Sequence, residues 1–169
     1  DSFTKNSIFY RTMASAAGAL YKQRNYAKAN YYYSLVFAES DKLKTVAHWS
    51  FRPQEEADWK QTLALCKNNG ERITLWQMLG IFYKDELRSM QEIYKLDPKS
   101  AKIDVLLTRF VNKNENEYSW LADRADSKKK IKAALPWLKE VADKGNTSNL
   151  FLWNTSVGYL YFLTENFAP

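Results

Sequence analysis

The chain reads as an all-α protein: an array of antiparallel helix hairpins, about ten helices in a single domain over residues 1–169. Three observations predict it. Apolar residues recur at three-to-four spacing almost everywhere, and the alternation of a half-buried strand is nowhere sustained. Five glycines and four prolines are too few for the tight turns of an all-β chain. The connections between helical stretches are short, which forces consecutive helices to run antiparallel. Hydrophobic residues at 46% and charged residues at 26% exclude global disorder. A compact chain of this mass buries about 70% of its extended surface, so a full core needs no staples.

The first helix is expected over Ser7 to Tyr21, where Ile8, Met13, Ala16, Ala17 and Leu20 repeat at helical spacing. A break at Gln23 to Asn25 precedes a second helix, Tyr26 to Glu39, with Ala29, Tyr33, Val36 and Phe37 on one stripe. Tyr31-Tyr32-Tyr33 has β propensity, but it sits inside this repeat. A short third helix covers Leu43 to Phe51, and Pro53 opens a fourth, Gln54 to Asn68, whose Glu55, Glu56 and Asp58 suit its positive end. Asn68-Asn69-Gly70 reads as its stop. Helices five and six follow at Ile73 to Tyr83 and Glu86 to Leu96, closed by Asp97-Pro98. Ser100 caps a seventh, Ala101 to Asn112, and residues 112–116 (NKNEN) read as a polar connection. A weaker helix is expected over Tyr118 to Arg124. Ser127 caps a long one ending at Lys144, kinked or split near Ala134 by Pro136, with Gly145 as stop. Thr147 or Ser148 caps the last, which runs to Thr164.

Composition excludes most catalytic chemistry. A single cysteine, Cys66, rules out a disulfide framework and a cysteine metal cluster. A single histidine, His48, argues against a Ser-His-Asp triad or a poly-histidine metal site. Cys66 on an apolar helix side reads as a small buried hydrophobe, and Glu55, Glu56 and Asp58 as structural. Asp123 and Asp126 lack metal-loop spacing, and no glycine-rich phosphate loop is present. The expectation is therefore no enzyme activity, no cofactor and no metal. No apolar run approaches the ~18 residues of a membrane span. Net charge is +6 with a pI near 9.2, but acids and bases are interspersed and the aromatics fall on core stripes, which argues against nucleic-acid binding. The lysine cluster Lys128, Lys129, Lys130 and Lys132 reads as a solvated first helical turn.

One motif gives the array a pattern. Trp76-x-x-Leu79-Gly80-x-x-Tyr83 lies on the fifth helix. Val157-Gly158-x-x-Tyr161 recurs near the end, followed by Phe167. Near the start, Ala17 and Leu20 lead into Tyr26, Ala29, Tyr33 and Val36. These spacings resemble the tetratricopeptide repeat, a helix-turn-helix unit of about 34 residues, in its divergent bacterial form. Units fall near 7–43, 44–70, 72–98, 100–125 and 127–169. Ala17 stands where the family places glycine, Trp153 is one position off, and the spacing from Gly80 to Pro98 is short, so the turn at Lys84–Asp85 must be cut back. The resemblance implies an α–α superhelix in which Gly80 and Gly158 sit at close helix crossings. It also implies a groove along the first helices of each unit. The groove-facing positions would be Arg11, Ala14, Gly18, Tyr21 and Lys22, then Thr74, Gln77, Ile81 and Lys84, then Leu152, Thr155, Tyr159 and Phe162.

The function this implies is a non-catalytic scaffold that binds a protein or peptide in that groove. The alternative is a helical accessory domain of a larger enzyme or transport assembly. The abrupt start and stop read as a fragment of a longer chain, so the absence of a signal sequence at Asp1 is only weak evidence for the cytoplasm and leaves a bacterial periplasm or cell envelope open. The final helix is apolar nearly all round, from Leu150 to Leu163, so it is expected to self-associate or to receive a further unit.

Overall fold

The computed structural model describes residues 5–83, 85–119 and 124–164. Among them it is all-helical, with nine α-helices, one 3-10 turn and no strand. The chain divides into two compact units, Asp1–Met78 and Leu79–Pro169.

In the first unit, α1 (Ser7–Lys22) packs on α2 (Tyr26–Glu39), and α2 also packs on α3 (Lys44–Ser50) and α4 (Glu56–Ala64). Asn6 caps α1 by accepting the Ile8 and Phe9 N–H groups, each at 3.0 Å. Arg24, at φ 61°, takes the left-handed conformation that turns the chain from α1 into α2. Ala17 and Ala29 are fully buried. Phe51, Trp59 and Trp76 extend the core as edge-to-face rings, the two indoles 5.0 Å apart.

Here the expected boundaries shift in two places. Pro53 does not open α4, which starts at Glu56. Residues 51–54 stay outside a helix because the Arg52 N–H donates to Asn30 Oδ1 at 2.8 Å and Gln54 Nε2 donates to Tyr21 OH at 2.9 Å. Asn68-Asn69-Gly70 is not a stop either. α5 (Asn69–Phe82) begins there, with the Glu71 N–H donating to Asn68 Oδ1 at 3.0 Å. The same residue types terminate or initiate a helix, and the capping carbonyl decides which.

The second unit is built from α6 (Glu86–Leu96), α7 (Ala101–Ser119), α8 (Arg124–Lys144) and α9 (Leu150–Leu163). Sequential helices pack on one another, and α9 packs on α7 as well as α8. The stretch 112–116 is no connection but the continuation of α7. Its polar side chains find partners: the buried Asn114 donates to Phe110 O of its own helix at 2.7 Å and accepts from Ser127 Oγ at 3.3 Å, and Lys113 Nζ lies 3.3 Å from the buried Glu86 carboxylate. Residues 120–123, within the weaker helix expected at Tyr118 to Arg124, lie outside the described residues, as do Lys84 and Phe167.

Ser127 is no cap. α8 already starts at Arg124, and the buried Ser127 Oγ donates to Asn114 O at 2.9 Å. Pro136 does not split α8: it is exposed, so the hydrogen bond it forfeits faces water while Ile131, Ala134, Leu135 and Leu138 hold the opposite face in the core. Asn149, not Thr147 or Ser148, caps α9, accepting the Leu152 N–H at 3.0 Å.

The two motif glycines part company. A Cβ on Gly80 would meet Leu106 Cδ2 and Ser89 Cβ at 2.9 Å each, so Gly80 is a close crossing. A Cβ on Gly158 would meet nothing within 4 Å: the glycine lies on the exposed face of α9, and the expected crossing is absent there. Opposite effects follow. Gly80→Ala overpacks and costs about 1–3 kcal/mol, whereas Gly158→Ala removes a flexible residue from an open helix face and gains about 0.5–1 kcal/mol. Chemical denaturation of the two variants checks this; a stabilised Gly80→Ala would contradict the crossing.

Candidate functional site

A groove of about 570 Å³ lies in the first unit between α1, α2 and the end of α4. Phe9, Thr12, Met13 and Ala16 come from α1; Lys28, Tyr31, Tyr32 and Leu35 from α2; Leu65 and Lys67 from the end of α4 and the link to α5. The helical period explains the lining. On α1 the groove residues lie on one flank of the stripe, Tyr10 and Ala17, that is buried. On α2, residues 28, 32 and 35 form the one strip left open, because Ala27, Ala29, Asn30, Tyr31, Tyr33, Ser34, Val36 and Phe37 are buried.

The groove is mainly apolar with cationic edges. Lys28 Nζ sits 5.8 Å from the Tyr32 ring centroid, a cation–π placement. Tyr31 is pinned at the base, its hydroxyl donating to Glu71 Oε2 at 3.0 Å. Burial first, then the Glu71 carboxylate, pushes the Tyr31 phenol up to about 12, so it stays a protonated donor. The other donor to Glu71 Oε2 is the Lys67 N–H at 2.8 Å. One carboxylate thus fixes α2 to the start of α5 and leaves the Lys67 side chain exposed.

The residues expected to line a groove fall elsewhere. Arg11 and Lys22 are exposed on the opposite flank of α1, and Tyr21 is half-buried, accepting from Gln54. Gln77 is half-buried on α5, and Thr74 is buried, its hydroxyl donating to Gly70 O at 3.0 Å. In the second unit Tyr159 and Phe162 stack at 6.3 Å, with Phe162 largely exposed. Sequence reasoning missed the α1–α2–α4 lining because it aligned α1 to the repeat's groove face. The signal was present as Phe9, Thr12, Met13 and Ala16, a second stripe on the same helix.

α9 buries Trp153, Ser156, Val157, Leu160 and Leu163, while Phe151 is 79% exposed and Phe162 58%. Its buried side is anchored by Trp153 Nε1, which donates to Asp104 Oδ1 at 3.1 Å. No described helix is long and apolar enough to cross a membrane. Among the described residues no group of three or more His, Cys, Asp or Glu side chains is placed to hold a metal ion. His48 packs its ring 6.2 Å from Phe37. No known protein family, curated protein or solved structure matches the chain.

Cys66 is buried, and burial, reinforced by Glu71, pushes its thiol up to about 11. A folded value above the ordinary one contributes stability that is complete below pH 9 and is lost as pH rises through about 11. Cys66 is therefore expected to resist iodoacetamide at pH 8 in the native protein and to react on denaturation. Rapid native alkylation would contradict its assignment to the core.

Proposed function

We propose that the chain is a non-catalytic interaction module of tetratricopeptide-like helix pairs that binds a protein or peptide partner. The observation that carries this reading is the α1–α2–α4 groove: a preformed, mainly apolar concavity of about 570 Å³. Three features support the repeat character. Ala17 and Ala29 are buried where the repeat needs small residues. Gly80 lies against Ser89 and Leu106 in a helix crossing too close for a Cβ. Within each unit, helices two apart in sequence touch, α2 with α4 and α7 with α9, as they do in a stacked array. Ala16 is exposed at the groove, so Ala16→Trp fills it from the surface without entering the core. Peptides selected from a random display library on the wild-type protein are expected to lose binding to Ala16→Trp; a selection that enriches nothing, or only peptides indifferent to this substitution, would contradict the groove's role.

A second reading, self-association through α9, is favoured by Phe151 and Phe162. They stand exposed on a helix without a single charged residue, so two copies could meet without like-charge repulsion. Sedimentation is expected to show reversible dimers at high concentration that Phe151→Glu with Phe162→Glu abolishes. A wild-type monomer at all concentrations would dismiss this reading and leave the groove untouched.

A further inference from the structure

We infer that the partner segment taken by the α1–α2–α4 groove is an acidic amphipathic helix; this rests on the interaction-module reading and names its ligand chemistry. Shape argues first. The groove is an open trough: Met13, Tyr32 and Leu35 are half-buried and Leu65 is 40% exposed, so an occupant is covered on one side only. An acyl chain is apolar all round and would keep much of its surface in water there. A helix with one apolar stripe matches a one-sided trough, anchoring at i, i+3, i+4 and i+7. Met13 adds an adaptable contact for anchors of differing shape.

Charge argues second. No carboxylate lines the trough, and its two ionisable edges, Lys28 and Lys67, are both cationic. Among the described residues neither ammonium has a carboxylate partner: Lys28 lies over Tyr32, and only the backbone N–H of Lys67 engages Glu71. The Glu71 carboxylate at the base of the trough is already held by the Tyr31 hydroxyl and that N–H. The lysines arise from different elements, α2 and the α4–α5 link, and both line the apolar trough. Acidic residues beside the apolar stripe of a bound helix would meet these cations, and a net charge of +6 on the chain favours their approach.

The test is fluorescence anisotropy with two synthetic helices that share leucines at the four anchor positions. One carries glutamates on both flanks of the stripe, the other lysines. The glutamate helix is expected to bind at least about tenfold tighter at low salt. Lys28→Glu with Lys67→Glu is expected to reverse the preference, Lys28→Gln with Lys67→Gln to level it, and Ala16→Trp to abolish both. Both lysines are exposed, and circular dichroism of each variant confirms that the helices persist. If the lysine helix binds as tightly and Ala16→Trp still blocks it, the acidic partner is overturned while the interaction groove stands. If neither helix binds, or Ala16→Trp has no effect, both fail. Monomeric oleate that displaces the glutamate helix at lower concentration would overturn the peptide in favour of a lipid.

Discussion

The first unit is organised by the burial of α2. This helix meets α1, α3 and α4, and its side chains reach out in several directions. Tyr33 reaches toward α1, where its hydroxyl would lie 3.4 Å from a Cβ on Gly18. Phe37 stacks toward His48 of α3. Asn30 accepts the Arg52 N–H behind α3, and Tyr31 donates to Glu71 at the start of α5. A helix engaged on so many sides cannot be strongly amphipathic, and its buried set includes Asn30 and Ser34 beside Val36 and Phe37. What its neighbours leave uncovered is a single strip, Lys28, Tyr32 and Leu35, and that strip is a wall of the groove. The concavity is thus a consequence of how three helices of unequal length surround a fourth: α3 has 7 residues and α4 has 9, against 14 in α2.

The second unit is held by a different device. Its helices are joined by polar ties that are wholly or partly buried between them: Glu86 with Lys113, Asn114 with Ser127, and Asp104 with Trp153. Each tie joins two helices, and α7 contributes to all of them. Buried polar groups are costly unless paired, so these contacts fix register more than they add stability. The close approach at Gly80 belongs to the same logic. Ser89 Oγ is buried there without a partner, a cost offset by the packing that a missing Cβ permits.

Much of the helical layout was legible in the amino acids. α2 and α6 fall where the 3.6-residue period and the flanking breaks put them, and Gly80 could be read as a crossing from its place between Leu79 and Tyr83. The misreadings were at positions where one local signal has two outcomes. Asn68-Asn69-Gly70 can end or begin a helix, and the tertiary bond from Tyr31 to Glu71 favours the beginning. The NKNEN stretch looks like a loop until Glu86 and Ser127 give its polar side chains partners. Gly158 matches the motif yet lies on the open side of α9, because α7 and α8 both cover the face of Trp153 and Leu160. The groove was the least legible feature: Leu65 and Lys67 join Phe9 and Leu35 only through the packing of α4 on α2, which no local period encodes.

Under the proposed function the open strip of α2 is a surface for an occupant rather than part of the core. Equilibrium denaturation of Leu35→Ala beside Phe37→Ala tests it most directly, since the two residues lie two positions apart on one helix. Phe37 is only 7% exposed, and its truncation is expected to cost about 3–5 kcal/mol. Leu35 lines the groove and is only half-buried, so its truncation is expected to cost less than about 1 kcal/mol. Comparable losses at both positions would contradict the account, because Leu35 would then be core and the groove would be filled by the protein itself.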